Sequence, residues 1–192
     1  QYVFLYNILG LSLTKQKKFI EAIKIFRQGI AVKPNTATLH NNLGNALNAV
    51  GKTDEAYENY IKSIKINPKF PLAYNNLGNL LKDQNKFEDA IKNFNEAIKH
   101  QADFFVAYHN LATVYQYLGK FDEAKQYYDK VKKINPGFYL ADRQLSSSIE
   151  YTKDNPHFLS MKKEIEKKNL TDDQKMNLSF GLGKAYEDIK NF

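Results

Sequence analysis

The sequence contains no cysteine. Disulfide frameworks and thiolate metal sites are therefore excluded, and the absence fits a reducing compartment such as the cytoplasm. No run of about 18 apolar residues occurs, the length that a membrane-spanning helix needs. The apolar opening from Tyr2 to Leu13 is shorter and interrupted, and no basic segment precedes it, so it does not read as a signal peptide. Long basic runs are missing too: no more than two cationic residues are ever adjacent. The formal net charge is nonetheless +7. Residues 1–149 hold 20 Lys/Arg against 13 Asp/Glu, and residues 150–192 hold 8 of each. The excess is spread singly over the first part. A solvated surface accounts for that better than a nucleic-acid stripe does, and an acidic partner stays open.

Catalytic and metal constellations are equally absent. His40, His100, His109 and His157 have no pairwise spacing of three or four residues, so no two share a helix face as metal ligands would. Gly181-x-Gly183-Lys184 invites a phosphate-loop reading, but Leu178 and Ala185 stand where that loop needs a glycine and a hydroxyl residue. The 13 Tyr and 13 Phe show no strand pattern that would make a base-stacking platform. The expectation is a chain with no catalytic residue, no cofactor and no metal.

What is present is a period. Gly10, Gly44, Gly78 and Ala112 lie 34 residues apart, each preceded by a leucine (Leu9, Leu43, Leu77, Leu111). An alanine follows twelve residues on: Ala22, Ala56, Ala90, Ala124. An aromatic stands four beyond it: Phe26, Tyr60, Phe94, Tyr128. Pro34, Pro68 and Pro136 close their units, with Ala102 as the exception. Self-similarity at a period of this size marks a helical repeat. Within a unit, His40, Leu43, Gly44 and Leu47 recur at helical spacing, and Ala56, Tyr60 and Ser63 form the matching face of a second helix. Gly51, Asn85 and Gly119 fall between the two, where a left-handed residue ends a helix. Acidic pairs (Asp54-Glu55, Glu88-Asp89, Asp122-Glu123) then open the second helix, where negative charge suits the dipole, so they leave no glycosidase-type pair.

Over residues 3–138 this pattern resembles the tetratricopeptide-repeat (TPR) family, with Tyr6, His40, Tyr74 and Tyr108 in place of the usual Trp. The resemblance implies an all-α, right-handed superhelical solenoid of antiparallel helix pairs: four regular units over residues 1–138, then over 139–192 an irregular fifth unit and the first helix of a further one. Asn155-Pro156 breaks the fifth unit. Phe158, Met161 and Ile165 start a new amphipathic helix, and Thr171-Asp172 starts another. Gly183 lies 37 residues after Ser146, where the small packing residue of the next first helix is expected. Both ends fall inside the repeat pattern without a polar capping helix, so the expectation is a piece of a longer protein, with apolar ends prone to end-to-end self-association.

In such an array the first helices line the concave face. Their outward positions are Asn7 in unit one; Asn41, Asn42, Asn45 and Asn48 in unit two; Asn75, Asn76 and Asn79 in unit three; and His109, Asn110, Thr113 and Gln116 in unit four. Asn costs roughly 0.6 kcal/mol relative to Ala inside a helix. Seven in two short helices break local preference, which tends to mark function. An amide offers donors and an acceptor, which suits the backbone of an extended peptide partner. The alternative is that these amides only bond between units. Asn-Asn-Leu-Gly-Asn is similar to the TPR arrays of O-linked N-acetylglucosamine transferases, where a ladder of asparagines holds the peptide backbone. Asn42, Asn76 and Asn110 match that ladder, and Ile8 breaks it in unit one. Chaperone-binding TPRs use a cationic clamp for a carboxylate. The matching positions here, Asn7, Leu11, Asn42, Leu72 and Asn76, hold no cation, which argues against such a ligand.

Asp154-Asn155-Pro156-His157, Leu170-Thr171-Asp172-Asp173-Gln174 and the stretch from Phe180 to Asp188 look like the junction of bacterial TPR-sulfotransferases. That resemblance implies a non-catalytic arm whose catalytic domain is not in this chain. Protein or peptide binding is the first reading and the sulfotransferase arm the second.

Overall fold

The computed structural model describes residues 2–190, and all regular structure among them is helical. Gln1, Asn191 and Phe192, where the sequence places a unit boundary and the turn into a further second helix, lie outside the described residues. The chain forms two compact units, Gln1–Ala102 and Asp103–Phe192.

The first unit holds α1 (Val3–Lys15), α2 (Phe19–Val32), α3 (Ala37–Ala49), α4 (Thr53–Ile66), α5 (Pro71–Asp83) and α6 (Phe87–His100). They pair as α1 with α2, α3 with α4 and α5 with α6. Each pair is joined by three residues, which forces the helices to run back along each other. The middle residue of each turn is left-handed: Lys17 at φ 60, Gly51 at 78, Asn85 at 58. The next N–H then reaches back to the final turn, as Lys52 N to Leu47 O at 3.0 Å and Lys86 N to Leu81 O at 2.9 Å. That bond satisfies a carbonyl the helix end would leave open. The sequence marks Gly51 and Asn85 for this role, and Lys17 is an additional case. No side chain caps α2, α4 or α6; acids stand in the first turn of each, where negative charge suits the helix dipole.

The small residue and the aromatic of each pair make one contact. A Cβ placed on Gly44 would lie 2.6 Å from the Tyr60 ring, and one on Gly78 would lie 2.7 Å from the Phe94 ring. The aromatic therefore occupies space that a side chain at the glycine would need. The second helix of each pair carries another small position. A Cβ on Gly29 would meet Leu39 Cδ1 of the next pair at 3.0 Å, whereas at the equivalent place in α4 the Ser63 hydroxyl donates to the Ala37 carbonyl of its own pair at 2.8 Å.

The second unit opens with one regular pair, α7 (Phe105–Tyr117) and α8 (Phe121–Ile134), with Gly119 left-handed between them at φ 71. Beyond it lie α9 (Leu140–Ser146), α10 (Pro156–Ile165) and α11 (Asp172–Lys190). The starts of α10 and α11 have clear causes. The Asn155 side chain accepts from His157 N at 2.9 Å and Phe158 N at 3.4 Å, with Pro156 in the first turn. Thr171 and Gln174 form a reciprocal capping box, with bonds of 3.3 and 3.0 Å. α9 packs on α8 and α11, and α10 packs on α11. Gly183 does not take the expected small packing position, because a Cβ there would meet nothing within 4 Å. Gly181 takes that role, with Met161 Sδ 2.6 Å from where its Cβ would be. The loop before α10 does not follow the repeat register, and the residue that needs the space comes from α10.

Four tyrosines are buried in these cores: Tyr60, Tyr128, Tyr139 and Tyr151. Burial pushes the phenols of Tyr128 and Tyr139 up to about 12 from the ordinary 10.0 and raises Tyr60 and Tyr151 as well. A raised folded value favours folding fully below the unfolded value and loses that contribution as pH climbs through the folded one. The measurement is an alkaline titration followed by tyrosinate absorbance and circular dichroism. These four should ionise only as helicity is lost, from about pH 10 upward. Ionisation of all 13 tyrosines with helicity intact would contradict the buried placement.

Candidate ligand-binding face

In the first unit, α3 lies directly against both α1 and α5. That arrangement brings four of the expected asparagines into one hydrogen-bonded chain. Asn76 Nδ2 donates to Asn41 Oδ1 at 2.9 Å. Asn41 Nδ2 donates to Asn42 Oδ1 at 3.2 Å, and Asn42 Nδ2 donates to Asn7 Oδ1 at 2.8 Å. The rule is simple: the second Asn of one repeat reaches the first polar position of the repeat before it. Ile8 therefore does not interrupt the chain, because Asn7 is the acceptor there. Asn41 is buried, at 3% exposure, while Asn7, Asn42 and Asn76 are half-buried. Each inner amide spends one of its two N–H groups and one of its two carbonyl lone pairs on this chain.

The remaining asparagines of α3 and α5 flank it. Asn45 accepts from the Tyr60 hydroxyl at 2.8 Å, which ties this face to the aromatic of the second helix. Asn48 and Asn79 are half-buried, and Asn75 is buried. The charged residues of α1, α3 and α5 are Lys15, Lys82 and Asp83, the last two 3.6 Å apart. Leu11 and Leu72, at two of the clamp positions, are exposed. This face thus offers amides and apolar side chains and little charge.

The unit-four residues stand on α7 in the second unit and do different work there. Gln116 Nε2 donates to the Gln144 carbonyl at 2.9 Å and to Ser148 Oγ at 2.6 Å, while its Oε1 accepts from the Tyr128 hydroxyl. It closes the C-terminal end of α9. Thr113 Oγ1 donates to the carbonyl of His109 at 3.0 Å, inside its own helix. His109 sits edge-on between the rings of Tyr128 and Phe138, with centroids 5.9 and 5.1 Å away. Asn110 is buried, at 8% exposure. His40 is a packing residue, with Nε2 donating to the Pro34 carbonyl at 2.9 Å.

The second unit also holds a polar cluster that the sequence does not announce. His157 Nε2 stands 3.1 Å from Asp142 Oδ1, and its Nδ1 stands 2.7 Å from the Tyr151 hydroxyl. Lys132 Nζ meets the other Asp142 oxygen at 2.8 Å. Among the described residues, no three His, Asp or Glu side chains stand where they could hold a metal ion, and no helix is long and apolar enough to cross a membrane.

Family descriptions match most of the regular array. "TPR repeat" matches residues 44–85, and "Tetratricopeptide repeat" matches residues 5–36, 71–104 and 105–138. The chain is a tetratricopeptide-repeat protein. No curated protein matches it in sequence. Among solved structures, the TPR chain is similar to MamA, at 21% identity over 93% of each chain and a TM-score of 0.65. It is similar to PilF of Pseudomonas aeruginosa, at 18% identity over 97% of this chain and 76% of that one, with a TM-score of 0.74. The first TPR of Spaghetti (RPAP3), solved bound to the HSP90 peptide SRMEEVD, matches 62% of this chain and 94% of its own at 24% identity, with a TM-score of 0.59. At these identities the likeness is one of fold. The TPR fold is a scaffold for protein binding, and residue roles have to come from this chain itself.

Proposed function

We propose that the first unit binds an extended, largely uncharged polypeptide segment across α1, α3 and α5, through the asparagine chain. The observation that carries this reading is the continuous run Asn7–Asn42–Asn41–Asn76 across three repeats. Each amide is oriented by its neighbour, so it need not be ordered again when a ligand arrives. Asn42, the half-buried inner amide, keeps a second N–H and a second lone pair, which match the donors and acceptors of a peptide backbone. Backbone readout of this kind does not depend on ligand charge. The acidic peptide seen on Spaghetti fits poorly, because the clamp positions here carry Leu11 and Leu72.

A random twelve-residue peptide library displayed on phage supplies the probe. Selected peptides should be poor in charge, and raising the salt should leave their affinity nearly unchanged. Asn42→Ala combined with Asn76→Ala should weaken them about tenfold, the loss of two ordinary hydrogen bonds. A double variant that melts earlier yet binds the peptides unchanged would show that the amides only join repeats. The junction-like segment from Asp154 to Asp188 supports a second, compatible reading, in which this face recruits substrate for a sulfotransferase domain. A gene coding for no sulfate-donor-binding domain would remove it.

A further inference from the structure

Arg143 stands on α9 one period after His109 and three periods after Asn41. It brings a cation to a position that carries an amide or an imidazole in the earlier units. Its side chain is half-buried, and the guanidinium lies over the Phe180 ring, 4.2 Å from the centroid. Stacking holds the planar group in place and leaves its edge N–H groups available. Among the described residues no carboxylate pairs with it and no hydrogen bond uses those N–H groups.

Asn177 on α11 is the complementary case. It is 4% exposed, and its Nδ2 donates to the Asp173 carbonyl at 2.9 Å, which fixes how the amide is turned. Its Oδ1 is buried and has no partner. A buried acceptor left open is uncommon, and a donor from outside the chain would complete it. Arg143 and Asn177 line one recess of about 400 Å³ inside the second unit, between α9, the loop before it and the start of α11. Gln174 ties the sides together, its Nε2 donating to the Gly137 carbonyl at 3.3 Å. Asp173 adds a carboxylate to the lining, and Phe138 and Met176 add apolar surface.

These groups define what fits. A simple anion would meet Arg143 but also Asp173, and would leave Asn177 Oδ1 without a donor. A simple cation would meet the charge of Arg143. A molecule with an anionic group and an N–H-bearing cationic group side by side serves all three residues. We propose that the recess binds a free α-amino acid, with its carboxylate on Arg143, its ammonium on Asn177 Oδ1 and Asp173, and an apolar side chain toward Phe138 and Met176. The guanidinium edge offers two parallel N–H groups to the two carboxylate oxygens. The volume lies in the range of small-molecule sites. This site is independent of the asparagine chain of the first unit.

The probes are the standard protein amino acids, each titrated singly into the full chain and followed by calorimetry. At least one with an apolar side chain is expected to bind one to one, with a dissociation constant below about 1 mM. Its N-acetyl form blocks the ammonium, and its carboxamide form removes the carboxylate. Each should bind the unchanged chain at least about tenfold more weakly. Arg143→Gln and Asp173→Asn should each weaken the free amino acid by a similar factor, with helicity unchanged. Asp173→Asn and the two modified ligands carry the test should Arg143→Gln lose helicity. Absence of binding by any of the amino acids up to about 10 mM would overturn the proposal. So would a modified form that binds as tightly as its parent; for the N-acetyl form, that result would describe the C-terminal end of a polypeptide instead. Unchanged affinity in either folded variant would overturn it as well.

Discussion

Phe94→Ala is expected to destabilise the first unit by about 4 kcal/mol, near the top of the range for truncating a buried aromatic. Phe94 is fully buried, and its ring lies over Gly78, which has no side chain to move into the space left behind. The three-residue turn between Asp83 and Phe87 also limits how far α5 and α6 can close together. The cavity should therefore persist, and its cost with it. Gly78 gives the argument a sign test. In the unchanged chain, Gly78→Ala forces a Cβ to 2.7 Å from the ring and should cost about 1–3 kcal/mol. In the Phe94→Ala background the same methyl has room, and the substitution should become neutral or stabilising. Urea unfolding with amide exchange read separately for α5 and α6 would measure both, since repeat arrays need not unfold in one step. Additive costs for the two changes would mean that Gly78 and Phe94 are not partners.

The regular pairs were legible because their main contact has a fixed separation. Gly10, Gly44 and Gly78 stand sixteen residues before Phe26, Tyr60 and Phe94, and the period repeats that relation. The left-handed turn was legible at Gly51, Asn85 and Gly119, whose residue types tolerate it. It was hidden at Lys17, where the turn imposes the conformation and lysine gives no sign of it. The asparagines were visible as a local violation of helix preference, but not their linkage. The bonds run from Asn42 to Asn7 and from Asn76 to Asn41, one residue longer than the period. The only hint was the adjacent pair Asn41-Asn42, which lets one helix both donate back and accept forward. On α7 the same outward positions carry Gln116 and Thr113, whose bonds close α9 and their own helix, and the residue type did not reveal this. Past Tyr139 the period no longer governs contacts. Gly181 faces Met161 of a helix that the repeat does not contain, so extrapolating the register chose Gly183 instead.

The Asp142 cluster is the other feature the period could not show, because its members are separated by 6, 10 and 15 residues. It also carries the second large expected effect. Asp142→Ala should destabilise the second unit by about 3 kcal/mol, the usual scale for removing one member of a buried ion pair. Asp142 is 2% exposed and joins α9 to both α8 and α10, by Lys132 at 2.8 Å and His157 at 3.1 Å. Removing it leaves Lys132 without its carboxylate and takes the acceptor from His157 Nε2. Asp142→Asn keeps an oxygen for His157 but turns its amide N–H groups toward the Lys132 ammonium, donor against donor, so it should cost about 2 kcal/mol. Tyr151→Phe removes the hydroxyl on the far side of the same imidazole. Its cost should shrink in the Asp142→Ala background, because a His157 ring freed on one side gains less from being held on the other. Asp129 on the surface of α8 provides the reference: replacing an exposed acid should change stability by less than about 0.5 kcal/mol. If Asp142→Ala costs no more than Asp129→Ala, the α8–α9–α10 arrangement rests on its apolar contacts alone. A cost several times larger, with the predicted coupling to Tyr151, would show that the His157 bridge fixes where α10 sits. The α10–α11 contact through Met161 and Gly181 would then depend on Asp142, and with it the placement of the outer face of α11.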